Sequence, residues 1–482
     1  MLVLLPLLTA LATAFACVLA AGRPRLQLFL SWAGLSVLLV CAVSLLLQVE
    51  SGGTLRIALG NWPPPFGIEF AADRLSASMI LVAALMGAAA LGFQMSDADP
   101  ASPDEALLPL VHGMLAGACG AFLTADLFNL YVWFELTLIC ALGLMVRRAT
   151  VRDLEATLKY FALNVVGTLL LLAAVALIYA LTGHLNFIAI GQAADKIDPA
   201  ILLPFSSLLV VALLIKAAAF PFYAWLPASY HVLPAPLLAL FAALLTKVGV
   251  YALLRVLGDV LAGSPEVLYQ ALGWLAVLTM VSGVLGAAYH WDMRRILAFH
   301  IVSQIGYMLL GIALASPAGS AGAMFYMWHN MVVKGGLILI AAIIFRLAGH
   351  YDLRRIGGLY SARPWLAVLF LVTALAQVGI PPLSGFWGKL LLVRESFAQG
   401  QAVWAAAALG VGVLTLYSMA KIWMEAFWKP HPDPDWQPAR ARLAPAYAVT
   451  TVLALLALGV GFCPEPFIAF AGDAARSLGG DR

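Results

Sequence analysis

Five ionisable side chains interrupt stretches that are otherwise almost wholly apolar: Glu135, Lys216, Lys247, Lys334 and Lys389. A charge at membrane depth is costly, and such residues as a rule face a bundle interior or a water-filled path, so the five mark movement of charge. Their types point to chemistry with protons. A buried carboxylate keeps its charge only opposite a cation, and Lys216 is the candidate partner of Glu135. A lysine removed from water gives up and regains its proton far more readily than an arginine. Four lysines and no arginine at these places therefore favour proton handling over fixed charge. The plainer alternatives are a static Glu135–Lys216 ion pair and, for Lys389, a long side chain reaching back to the interface. His329, in the same apolar run as Lys334, is a further relay candidate because histidine titrates near neutral pH. His300, with Ser303 and Gln304 nearby, stands second to it, since a lone histidine in an apolar helix is more often a hydrogen-bonded packing residue.

The residues around these sites exclude most other classes. With 63% hydrophobic and 11% charged residues and a mean hydropathy of +0.97, the chain is a polytopic membrane protein, since soluble domains carry about a quarter charged residues. A net charge of +3 leaves no basic patch for nucleic acid, and partners are to be sought within the membrane. Cys17, Cys41, Cys119, Cys140 and Cys463 are scattered without metal or redox spacing. His231 and the His329-Asn330-Met331 segment offer no ligand cluster for a transition metal. Trp133, Trp225 and Trp328 read as packing residues or interface anchors, not as a cofactor box. No P-loop, dinucleotide fingerprint or haem-attachment motif is present, so no cofactor is expected and energy must come from an ion gradient or a partner subunit. A self-sufficient enzyme is disfavoured on the same ground.

Apolar runs long enough to cross a membrane as helices number fourteen: 2–20, 26–48, 73–94, 105–124, 126–146, 155–182, 200–230, 234–258, 267–289, 294–314, 320–347, 364–396, 402–428 and 441–462. The first lacks a basic leader and is followed by another apolar run, which favours a retained span over a signal peptide. Arg and Lys test the count. The odd-numbered loops hold fourteen of them, among them Arg147, Arg148, Arg152, Arg294, Arg295, Arg354, Arg355 and Arg440, against seven in the even loops and tail, Arg482 included. That bias places both termini outside the cytoplasm, in a cell inner (plasma) membrane. Spans 7 and 12 contain Phe220-Pro221 and Gly379-Ile380-Pro381-Pro382, and proline removes a helix donor, so both should break near mid-membrane. Breaks five spans apart, each with a lysine beside it, predict two inverted five-helix repeats, spans 4–8 and 9–13. The chain then divides into 1–104, 105–258, 259–428 and 429–482. Lys389 should mirror Lys216. The loops 49–72, 95–104, 183–199 and 429–440 show no pattern able to bury a core.

Several segments together resemble the D subunits of Mrp-type multi-subunit Na+/H+ antiporters, of the complex I antiporter-like superfamily. They are Gly60-Asn61-Trp62-Pro63-Pro64-Pro65-Phe66-Gly67-Ile68, Asp126-Leu127-Phe128-Asn129-Leu130, Phe134-Glu135, Thr246-Lys247-Val248-Gly249, Ser303-Gln304-Ile305-Gly306-Tyr307-Met308 and Pro381-Pro382-Leu383-Ser384-Gly385-Phe386-Trp387-Gly388-Lys389. The resemblance covers roughly residues 55 to 430 and implies fourteen helices around a central hydrophilic axis. It further implies roles for Glu135 and Lys216 as a pair, Lys247 as the central lysine, His329 as a connecting group and Lys389 as the terminal site. Asn330 departs from the pattern, standing where many relatives carry a second histidine. The implied function is that of a proton-conducting membrane protein whose partners in the same multi-subunit complex couple proton movement to Na+ export. The alternative is a proton-pumping subunit of a membrane-bound hydrogenase or a complex I-like oxidoreductase.

Overall fold

The computed structural model describes residues 1–95, 104–148, 150–261, 263–439 and 442–478. The loop 96–103, Arg440 and Arg482 lie outside the described residues. Among the described residues twelve helices are long and apolar enough to cross a membrane, and two shorter apolar helices, Leu107–Leu123 and Pro364–Val378, occupy the places of spans 4 and 12. The first three spans are Leu2–Leu19, Pro24–Gly52 and Arg74–Gln94. After Leu107–Leu123 come Leu127–Val146, Val151–Thr182 and, as span 7, Pro199–Val232, which is broken within. Span 8 is Ala235–Arg255, span 9 Glu266–Tyr289, span 10 Met293–Ala313 and span 11 Pro317–Ala348. Span 12 is Pro364–Val378 with Ser384–Ala398, span 13 Ala402–Ile422 and span 14 Ala444–Phe462.

Helices begin where the sequence supplies an oxygen for the free amides of the first turn. Asp73, Asp126, Thr150, Asp292 and Ser316 cap spans 3, 5, 6, 10 and 11, and proline opens several of the others. The two breaks occur where proline denies an amide. The first half of span 7 closes on Ala218 in the left-handed region (φ +60°), and the chain resumes as a short helix, Trp225–Ser229. The first half of span 12 closes on left-handed Gly379 and resumes at Ser384.

Corresponding features recur at one spacing along spans 4–6 and 9–11. Asp126 pairs across an antiparallel bridge with Asn186, and Asp292 with Asp352. Gly183 and Gly349 end spans 6 and 11 in left-handed conformations. Gly117 meets Thr137 as Gly283 meets Ser303, and Gly120 meets Trp133 as Gly286 meets Phe299. The first bridge belongs to the even loops and the second to the odd loops, so matching joints sit at opposite ends of the helices. Two clefts confirm the parity of the count. One, of about 1240 Å³, is lined from loops 5, 7, 9 and 11. A smaller one of about 60 Å³ is lined from loops 2, 4, 6, 8 and the C-terminal tail.

Two loop expectations need correction. The segment 49–72 is not patternless: span 2 runs on to Gly52, and strands β1 (Leu55–Ala58) and β2 (Glu69–Ala72) pair antiparallel. The short strands escape notice because Pro63, Pro64 and Pro65 dominate the segment between them. A helix, Phe187–Ala194, interrupts loop 6 under an Asn186 cap. After span 14 an amphipathic helix, Glu465–Ser477, lies against spans 3 and 11, with Phe470 5.7 Å from Trp328.

Candidate functional site

Glu135 lies mid-span 5, half-buried, and its Oε1 has no protein partner. Its charge reaches Lys216 through space. The direct ion pair expected between them is not formed. Lys216, in the last turn of the first half of span 7, donates instead to Thr168 Oγ1 (2.5 Å) and the Asn164 carbonyl (3.1 Å) on span 6. Its ammonium stands 5.7 Å from the ring centroid of Phe134, the neighbour of Glu135. Span 6 thus competes for a lysine that sequence assigns to span 5, because a hydroxyl and a carbonyl one turn apart present two acceptors at close range.

Lys247 is fully buried in span 8 and folds back along its own helix, donating to the Ala242 carbonyl at 2.7 Å. Gly249, two residues on, brings this helix onto the end of the span 7 half-helix. A Cβ there would stand 2.7 Å from Ala217 N and 2.9 Å from the Lys216 carbonyl carbon. The broken helix and the central lysine are therefore held together by the absence of one side chain.

Lys334 is fully buried in span 11, with Nζ bonded to no protein atom, and Lys247 and Lys389 act on it electrostatically. His329, on the same helix, joins Ser384 Oγ through Nδ1 at 2.8 Å, at the first residue of the second half of span 12. Its Nε2 has no protein partner. Gly385 is what lets that half-helix approach, since a Cβ would meet the Ala376 carbonyl oxygen and lie 2.9 Å from His329 Nε2.

Lys389 starts after the break but returns to it, donating to the carbonyls of Val378 (2.7 Å) and Gln377 (3.4 Å) with its ammonium 4.8 Å from the Tyr307 ring centroid. By position in the helix, the counterpart of Lys216 is Gln377, each the penultimate residue of its first half-helix. Lys389 reaches the mirror place with its head group only. The interior end it occupies argues against an interfacial lysine.

Around these groups lie further buried polar atoms bonded to no protein group: Thr246 Oγ1, Ser303 Oγ, the Tyr326 hydroxyl and the side-chain amides of Gln304, Asn330 and Gln377. Buried polar groups are almost always satisfied, and where protein supplies no partner water does. Glu135, Lys216, Lys247, Lys334, His329 and Lys389 therefore share the bundle with buried polar side chains that other protein groups leave unbonded. Sequence reasoning missed Asn164, Thr168 and Ser384, which carry no charge to betray them. No group of three or more His, Cys, Asp and Glu able to hold a metal occurs among the described residues.

Residues 124–415, from the cap before span 5 into span 13, match the family described as NADH:quinone oxidoreductase/Mrp antiporter, TM. The D subunit of the Na(+)/H(+) antiporter of Alkalihalophilus pseudofirmus is 36% identical over 478 residues, covering 99% of this chain and 97% of that protein. A chain of the Mrp complex from Dietzia sp. DQ12-45-1b superposes with a TM-score of 0.92 at 33% identity, over 99% of this chain and 97% of that one. A chain of the membrane-bound sulfane sulfur reductase, an archaeal respiratory membrane complex, superposes with a TM-score of 0.89 at 26% identity, over 99% and 97%.

Proposed function

Since the chain belongs to the NADH:quinone oxidoreductase/Mrp antiporter family of membrane subunits, we propose that it is the proton-conducting subunit of a multi-subunit cation/proton antiporter. Protons pass along Glu135, Lys216, Lys247, Lys334, His329 and Lys389, and partner membrane subunits couple that movement to Na+ export. The observation that carries this reading is the trio of buried lysines Lys247, Lys334 and Lys389, the first and last in electrostatic reach of the second, with Nζ of Lys334 bonded to no protein atom. Lysines held only by carbonyls and hydroxyls exchange protons without first breaking an ion pair. The recurrence of joints at opposite faces supports reading spans 4–8 and 9–13 as inverted repeats meeting along this line. The domain boundaries at 104, 258 and 428 follow from it. The complex sits in the plasma membrane, with both termini on the non-cytoplasmic side, a placement supported by the excess of arginines in the odd loops.

A second reading, proton translocation powered by a redox reaction in a partner, is favoured by the superposition on the archaeal respiratory complex. The 36% identity to a Na(+)/H(+) antiporter protein ranks it second. Lys247 tests the axis under either reading. In the assembled complex in sealed vesicles, Lys247→Ala should stop ion-gradient-driven proton movement, and Lys247→Arg should not restore it, because arginine keeps the charge but does not release a proton. An active Arg variant would show that only fixed charge is needed.

A further inference from the structure

We infer that His300 is a proton-relay residue connecting the buried lysines to the large cleft among the odd-numbered loops, by way of span 13; the inference rests on the function proposed above. His300 is fully buried on span 10. Its Nε2 meets Ser418 Oγ of span 13 at 2.5 Å, and its Nδ1 has no protein partner. The ring thus holds a hydroxyl on one nitrogen and leaves the other, buried, without a protein partner, so that both remain able to exchange a proton as a relay needs.

Position along the helices gives the direction. Span 10 starts at the odd-loop face, and the Lys389 ammonium lies at the level of Tyr307, whose hydroxyl is anchored to the Ala408 carbonyl of span 13. His300 is seven residues earlier, two turns or about 10 Å nearer the cleft. Ser303 and Gln304 lie on the same stripe between them, their side chains without protein partners. One turn beyond Ser418, Lys421 donates to the carbonyls of Ala288 (2.7 Å) and His290 (2.6 Å), and His290 lines the cleft. The order from the interior outward is Lys389, His300, Ser418, Lys421. Nε2 takes up a proton from the Ser418 side, the ring carries it as imidazolium, and Nδ1 releases its proton toward the lysines; a ring flip restores the first tautomer. The charged groups that act on the ring are Lys334 from span 11, Lys389 from span 12 and Lys421 from span 13.

The test compares His300→Gln and Ser418→Ala in the assembled complex, reconstituted in proteoliposomes, with rates measured across pH. His300→Gln should slow transport by roughly 100-fold, the low end of what a positioned proton-transfer group contributes, and alter the pH profile. Ser418→Ala keeps the ring but removes its partner, and should slow transport less while also altering the profile. If His300→Gln fails to assemble, Ser418→Ala decides alone. A wild-type rate and profile in the assembled variants, or a uniform loss with the profile unchanged, overturns the relay. Lys247→Ala run alongside separates the failures. Transport surviving that substitution overturns the axis and the relay with it, whereas a dead Lys247→Ala beside an unimpaired His300→Gln removes His300 alone.

Discussion

Lys216 shows how a single side chain resolves between partners. Its amino group bonds span 6 through Thr168 and Asn164, while Glu135 acts on it only through space. A lysine held by neutral acceptors keeps its place whether or not the carboxylate is charged. Glu135→Gln should therefore leave the packing and the melting temperature of the complex unchanged while removing the field that biases Lys216. The expected outcome is a loss of antiport of roughly 100-fold or more with normal assembly. Full gradient-driven activity in that variant would detach Glu135 from the path. The five charged residues were legible in sequence because burying a charge costs so much that its occurrence is informative alone. Thr168 and Asn164 were not, since such residues in helices commonly bond their own backbone, as Asn164 does to the Tyr160 carbonyl.

At the scale of elements, the break in span 12 brings the Lys389 head to the carbonyls of Gln377 and Val378 at the end of the first half-helix. Prolines made the breaks readable, but their closure depends on glycines whose role appears only in three dimensions. Gly385 lies so close to the Ala376 carbonyl that any Cβ would collide with backbone, and His329 stands on its other side. Gly385→Ala must push the halves of span 12 apart and dislodge the His329–Ser384 contact. Overpacking of this kind costs about 1–3 kcal/mol, so the variant should melt at a lower temperature and transport more slowly. Unchanged melting and transport would show that the break absorbs a methyl group without loss. The amphipathic helix Glu465–Ser477 went unread because it is too polar to span and its apolar face is explained only by the neighbours it covers.

For the whole molecule, the even-loop end is tied by a buried ion network. Arg255, ending span 8, bonds Asp73 at the cap of span 3 (2.5 Å), Asp259 (3.0 Å) and the Tyr251 hydroxyl (2.9 Å), which in turn donates to the Phe122 carbonyl at the end of span 4. Burial pushes the Asp73 carboxyl up, but the Arg255 guanidinium and the Ser76 amide more than reverse this and hold it below the usual carboxylate value of 3.8. A lowered native pKa means that stability from this carboxylate is present at neutral pH and lost as pH falls through the lowered value. Asp73→Asn should cost about 3 kcal/mol, the loss typical of a broken buried pair. Melting curves should show the gap at pH 7 and its narrowing under strong acid. A gap that persists or widens in acid would assign the stability to shape instead of charge.

The class of protein, its long apolar helices, the two interruptions and the charged residues within the apolar runs were all readable from the order of residues. Each of these follows from a cost that no neighbour cancels: a charge in hydrocarbon or a proline in a helix. Which atom each charged head reaches was not readable, and depends on how the helices pack. Packing sends Lys216 to span 6, Lys247 back to Ala242, His329 to Ser384 and Lys389 to the end of the half-helix it follows. A lysine stem is long enough to reach several acceptors. The choice among them is set by how closely two backbones approach, and at Gly249 and Gly385 that distance is fixed by contacts between helices that meet only in the folded chain.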